Sequence, residues 1–98
     1  DAPTVVLVFA PADSRNAVQD ASCVLENMML AAHALGLGSC WINREIEMFR
    51  TSEGHDLMVR ELGLPEGLTG VGAISLGYPD GAVSPCKPRK EGYVRIVR

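Results

Sequence analysis

The stretch NAVQDASCVLENMMLAAHALGLGSCWINR, residues 16–44, decides the fold. Within it Val18, Ala21, Leu25, Met28, Ala32 and Leu35 recur at alternating steps of three and four, which places them on one face of a helix. Val24, Met29 and Ala31 widen that stripe. The other face carries Gln19, Glu26 and His33 in line, interrupted by Leu30. The second half, from Met28 to Leu35, is therefore apolar nearly all round, as in a helix that is buried or covered by a partner. Gly36 follows the last periodic residue and can take the left-handed conformation that closes a helix, with Gly38 offering a second freedom two residues on. The chain is expected to turn sharply there and emerge extended through Ser39 to Asn43. A core helix with a glycine cap accounts for this pattern by itself.

On the N-terminal side, Thr4 to Phe9 is a continuous β-branched and apolar run after Pro3, which predicts a strand buried on both faces and central in a sheet. Pro11 and the polar run Asp13 to Asn16 break it, and either Ser14 or Asn16 can cap the helix that follows. On the C-terminal side, Glu45 to Arg50 reads as a short helical turn. Thr51 or Ser52 can cap a helix running to Leu62, with Met58 and Leu62 on one face and Gly63 and Pro65 as the stop. Its Glu53, His55, Asp56, Arg60 and Glu61 mark it as solvent-facing. Val71 to Leu76 is a further strand among the glycines Gly70, Gly72 and Gly77. Pro79-Asp80-Gly81 has turn chemistry, residues 82–91 form a polar loop, and Tyr93 to Val97 alternates as a half-buried strand would.

Ninety-eight residues make one domain at most. A chain of this size buries only about 60 to 65% of its unfolded surface, so a partner would help its core. Nine basic against twelve acidic side chains give a net charge of −3, which argues against a nucleic-acid surface. The one local basic excess is Lys87, Arg89, Lys90, Arg95 and Arg98, which a solvated tail would equally explain. Cys23, Cys40 and Cys86 are an odd number without C-x-x-C spacing, a usage that fits a reducing cytoplasm better than a disulfide framework or a zinc site. No apolar run approaches the roughly 20 residues that span a bilayer. Asp1, directly before a strand, reads as a boundary made by proteolysis or maturation.

Other chemistries find little support in the residues. Gly36-Leu37-Gly38 ends a helix where a dinucleotide fingerprint would open one, and Gly67 to Gly72 lacks the Lys-Ser/Thr of a phosphate loop. The sequence around Ser75 is not a nucleophile elbow. His33 and His55 have no ligating partner at helical spacing.

Residues 27–42, NMMLAAHALGLGSCWI, closely resemble the central helix and following strand of the FMN-dependent nitroreductase family. Residues 2–8, APTVVLV, are similar to the family strand before that helix, and GYPDG at 77–81 with KPRK at 87–90 is similar to its C-terminal segment. Members of that family open with a helical region bearing an Arg-Arg-Ser-x-Arg type cluster, and this chain has none. Residues 1–98 thus resemble the C-terminal portion of a single nitroreductase-like domain. The resemblance implies an α+β fold, a mixed sheet with helices packed around the long apolar helix. It also implies an enzyme that passes two electrons from NAD(P)H through FMN to a nitroaromatic, quinone or similar acceptor. A flavin-fragmenting or dehalogenating relative, or a module that has lost the cofactor, are the other readings. A homodimer with FMN at its interface is implied as well.

An isoalloxazine ring needs a flat apolar surface with hydrogen-bonding groups near its polar edge, and the resemblance assigns that role to Cys40, Trp41, Ile42, Asn43 and Arg44, largely through main-chain atoms. Trp41 can equally be a core aromatic. The flavin phosphate is assigned to Arg89, whose guanidinium forks onto a dianion, assisted by Lys87 or Lys90. No residue is assigned as catalytic acid, base or nucleophile.

Overall fold

The computed structural model describes residues 2–98, so Asp1 and the boundary expected there lie outside the described residues. Three strands, β1 (Thr4–Pro11), β2 (Gly38–Ile42) and β3 (Leu68–Gly77), make one sheet in the order β1-β3-β2, and both pairings are antiparallel. The helix α1 (Ala17–Ala34) joins β1 to β2, while α2 (Glu45–Phe49), α3 (Ser52–Asp56) and a π-helical turn (Leu57–Glu61) join β2 to β3. The fold is α+β, as expected, but the sheet, expected to be mixed, is antiparallel throughout among the described residues.

The stripe of α1 that is buried runs Ala17, Ala21, Leu25 and Ala32, with Met28 half-buried between them. It meets Val71 and Ile74 of β3 and Ala10 of β1 in one core, against which Val8, Met29, Trp41 and Leu76 also pack. Four residues expected on this face lie elsewhere, Val24 and Ala31 among them, both exposed. Val18 sits about 100° round the helix from Ala17 and is exposed, and Leu35 is the residue just past the helix, 77% exposed. Past Leu35 the helix closes on Gly36 at φ +76°. The Gly36 N–H donates to the His33 carbonyl and the Leu37 N–H to that of Ala32, a Schellman arrangement. Gly38, expected to share the left-handed freedom, is instead an ordinary strand residue of β2. At the other end Asn16 holds the N-cap position without a side-chain bond, and the Ala17 N–H reaches the Ser14 carbonyl at 3.3 Å.

β1, expected to be central, is an outer strand, and Val5 is 51% exposed. The central strand is β3, buried from Gly70 to Ile74. Its glycines explain why. A β-carbon on Gly70 would stand 2.5 Å from Cδ2 of Phe49, and one on Gly72 would stand 3.0 Å from Nε1 of Trp41 and 3.1 Å from Cδ1 of Leu25. Bare backbone therefore lets large side chains lie directly on the sheet. Gly72 pairs with Val8 and Gly70 with Phe9, so Val71 is the extra residue of a β-bulge. Phe9 and Phe49 meet edge to face with centroids 5.1 Å apart, which fixes α2 against β1 and β3.

The helix expected to run to Leu62 changes pitch. Thr51 caps it, its hydroxyl donating to the Met48 carbonyl at 2.7 Å and accepting from the Gly54 N–H at 3.0 Å. From Leu57 the chain winds as a π turn, with the Leu62 N–H bonded to the carbonyl of Leu57, five residues back. This wider turn carries Leu62 off the face of Met58, so Met58 is buried and Leu62 exposed. Gly63, at φ +65°, ends it. Tyr93 to Val97, expected as a half-buried strand, forms none, and residues 78–98 are all exposed. This arm lifts the radius of gyration to 16.7 Å, against about 13 Å for a compact chain of 100 residues. No described helix is long and apolar enough to cross a membrane.

Candidate functional site

β2 positions the first group of expected site residues. It pairs only with β3 among the described residues, so its other edge presents main-chain donors and acceptors without a neighbouring strand. Cys40 lies opposite Ser75, Trp41 opposite Ile74 and Ile42 opposite Ala73. The Ser75 hydroxyl donates to the Cys40 carbonyl at 3.5 Å, and the exposed Cys40 thiol points to the Trp41 carbonyl at 3.7 Å. The Trp41 indole lies inward on the core, its Nε1 buried without a hydrogen-bond partner. Its side chain is thus a core aromatic, and its main chain is what it can offer to a ligand.

Asn43 and Arg44 follow at the bend into α2, both exposed. Their carbonyls accept from the N–H groups of Ile46 and Glu47, at 3.2 and 3.1 Å, at the first turn of α2. Beside them stands Glu45, which the sequence did not single out. Its Oε2 is buried with no partner, and burial pushes its carboxyl above the ordinary value of 4.5.

The second group lies on the arm. Lys87, Arg89 and Lys90 line one concavity of about 340 Å³ together with Pro88 and Tyr93. Tyr93 is the other residue that sequence reasoning missed, because alternation with Val94 and Ile96 suggested a strand. A separate hollow of about 260 Å³ opens where Ser39, Cys40, Ser75 and Tyr78 meet at the end of the sheet. The two share no residue, so the structure gathers each group and does not merge them into one cavity.

Three cations around one concavity fit a dianionic phosphate, since forked guanidinium and ammonium donors both bind its oxygens. The open edge of β2 fits the flat, hydrogen-bonding side of a flavin.

A sequence model described as the nitroreductase family matches residues 1–78. The chain is similar to a nitroreductase with bound FMN from Bacteroides fragilis, with a TM-score of 0.86 and 38% identity over 99% of this chain and 52% of that one. Two curated relatives carry a name for an NADH dehydrogenase/NAD(P)H nitroreductase. The one from Archaeoglobus fulgidus is 39% identical over 62 residues, 63% of this chain and 33% of its own length. The one from Methanothermobacter thermautotrophicus is 31% identical over 83 residues, 81% of this chain and 41% of its own. The chain therefore spans about half or less of the length of each of these three relatives.

Proposed function

This chain belongs to the nitroreductase family, and on that premise we propose that residues 1–98 are the C-terminal portion of one nitroreductase-like domain in an FMN-dependent NAD(P)H oxidoreductase. When bound, FMN supplies the two-electron transfer from NADH or NADPH to a nitroaromatic, quinone or similar acceptor. The observation that carries this reading is the convergence of Lys87, Arg89 and Lys90 on one concavity. The chain's net charge is −3, yet five of its nine basic side chains lie in residues 87–98 beside a single acid, Glu91.

In this reading Arg89 would hold the flavin phosphate, assisted by Lys87 or Lys90. The main chain of Cys40, Trp41 and Ile42 would hold the ring, with the side chains of Asn43 and Arg44 at its polar edge. None of these residues transfers a proton or forms a covalent bond. Their work is to orient the ring and to hold charge near it.

The protein acts as a homodimer with FMN at the interface. Leu30 is 60% exposed, and Val18, Val24 and Leu35 are exposed on the same helix or just past it, which is apolar surface that a second copy would cover. The three free cysteines support a reducing cytoplasm as its location.

The full-length polypeptide, purified from cells, should carry a flavin absorbance band that bleaches with NADH or NADPH and returns on adding a quinone or nitroaromatic. A colourless protein that takes up no FMN on titration would leave a cofactor-free module as the correct reading.

A further inference from the structure

The functional reading uses three cations of the arm concavity and leaves its fifth lining residue without a role. Resting on that reading, we propose that Tyr93 is a phosphate-binding residue of the flavin site, donating its phenol O–H to a phosphate oxygen. Tyr93 is 82% exposed, and it nevertheless lines the same concavity as Lys87, Arg89 and Lys90. What brings it there is a turn at Glu91-Gly92, where Gly92 takes φ +68°. A left-handed residue at that point reverses the chain and returns residue 93 to the side chains it has just passed.

The chemistry favours a phenol in this position. Three cations around about 340 Å³ already repel one another, and a fourth would add repulsion, whereas a neutral hydroxyl adds a donor and no charge. A phosphate monoester presents three terminal oxygens with several lone pairs, more than one guanidinium fork fills. An O–H donated to such an anion is charge-assisted and roughly twice as strong as a neutral bond. Pro88 supplies the remaining lining of the hollow.

The test titrates FMN and riboflavin, followed by flavin fluorescence, into the full-length protein and its Tyr93→Phe and Arg89→Ala variants. Phe keeps the ring and removes only the hydroxyl. Tyr93→Phe should weaken FMN by about tenfold, the loss expected for one charge-assisted hydrogen bond, and leave riboflavin within about twofold. Arg89→Ala should weaken FMN further, again sparing riboflavin. If Arg89→Ala behaves so and Tyr93→Phe leaves FMN unchanged, or weakens both flavins alike, Tyr93 has no phosphate role while the functional reading stands. If neither variant separates FMN from riboflavin, or the parent binds no flavin, the basic arm does not hold the phosphate and both readings fall.

Discussion

The Trp41 indole occupies the space that a side chain on Gly72 would need, with its Nε1 3.0 Å from where the β-carbon would stand. One residue is the largest in the chain, the other the smallest, and they come from neighbouring strands. Gly72→Ala should therefore push the indole off the sheet and, like other overpacked cores, cost about 1 to 3 kcal/mol. Trp41 is the chain's single tryptophan, so its emission reports the displacement directly. Urea unfolding with unchanged midpoint and unchanged emission would show that the indole is free to yield.

Gly36 and Gly38 separate backbone strain from simple bulk. Gly36 has φ +76° with open space around it, so Ala there meets no clash and costs only its left-handed backbone, about 1 kcal/mol. Gly38 has ordinary strand geometry, and its β-carbon would meet the Gly77 carbonyl oxygen at 3.5 Å, a normal contact. Gly38→Ala should change stability by less than about 0.5 kcal/mol. Equal losses in the two variants, measured by urea unfolding, would contradict this division.

Glu45 makes stability depend on pH in a definite direction. Burial raises its pKa in the folded chain, so the folded state holds that proton more tightly than the unfolded state does. Its contribution is fully present below the ordinary value of 4.5 and is lost as pH climbs through the raised folded value. Glu45→Gln, which imitates the protonated acid, should match the parent near about pH 4 and exceed it in stability near about pH 7. A parent that gains on the Gln variant as pH rises would mean that Glu45 finds a positive partner in the full-length protein.

The exposed apolar side of α1 offers a test of assembly. Leu30 is largely exposed within the chain, so Leu30→Arg should leave folding unaffected. Burying the new charge in a dimer interface should weaken association by about tenfold or more. Sedimentation of the full-length protein at micromolar concentration reads this out, and a stable, well-folded parent monomer would count against the dimer.

Much of the framework was legible in the sequence because it rests on local rules. Steps of three and four residues gave α1, Gly36 marked its end, and Thr51 or Ser52 marked the start of α3, with Thr51 the cap in the structure. The resemblance of residues 27–42 pointed to the family that residues 1–78 match. What escaped was set by neighbours distant in sequence. The central place of β3 was hidden because its glycines supply no bulk, yet Phe49, Trp41 and Leu25 supply it from elsewhere. The pitch change at Leu57 hid the exposure of Leu62, since a period of 3.6 was assumed throughout. Tyr93 and Glu45 escaped for a similar reason. The value of each lies in what its side chain meets or fails to meet, and periodicity does not register that.

The sheet order bears on how the chain is made. Thr4 pairs with Leu76 and Gly38 with Gly77, so among the described residues both outer strands have β3 as their only partner. Of these three strands β3 is also the last to leave the ribosome. Until it emerges, α1 can wind up on its own, but β1, whose TVVLVFAP carries no charged side chain, has nothing in this segment to pair with. Within this segment, a chain stalled before residue 68 therefore has no strand to pair with that apolar run, and an unpaired apolar strand is the kind of surface that holding chaperones bind. Release of that strand would coincide with synthesis of the glycines that let β3 slide in between.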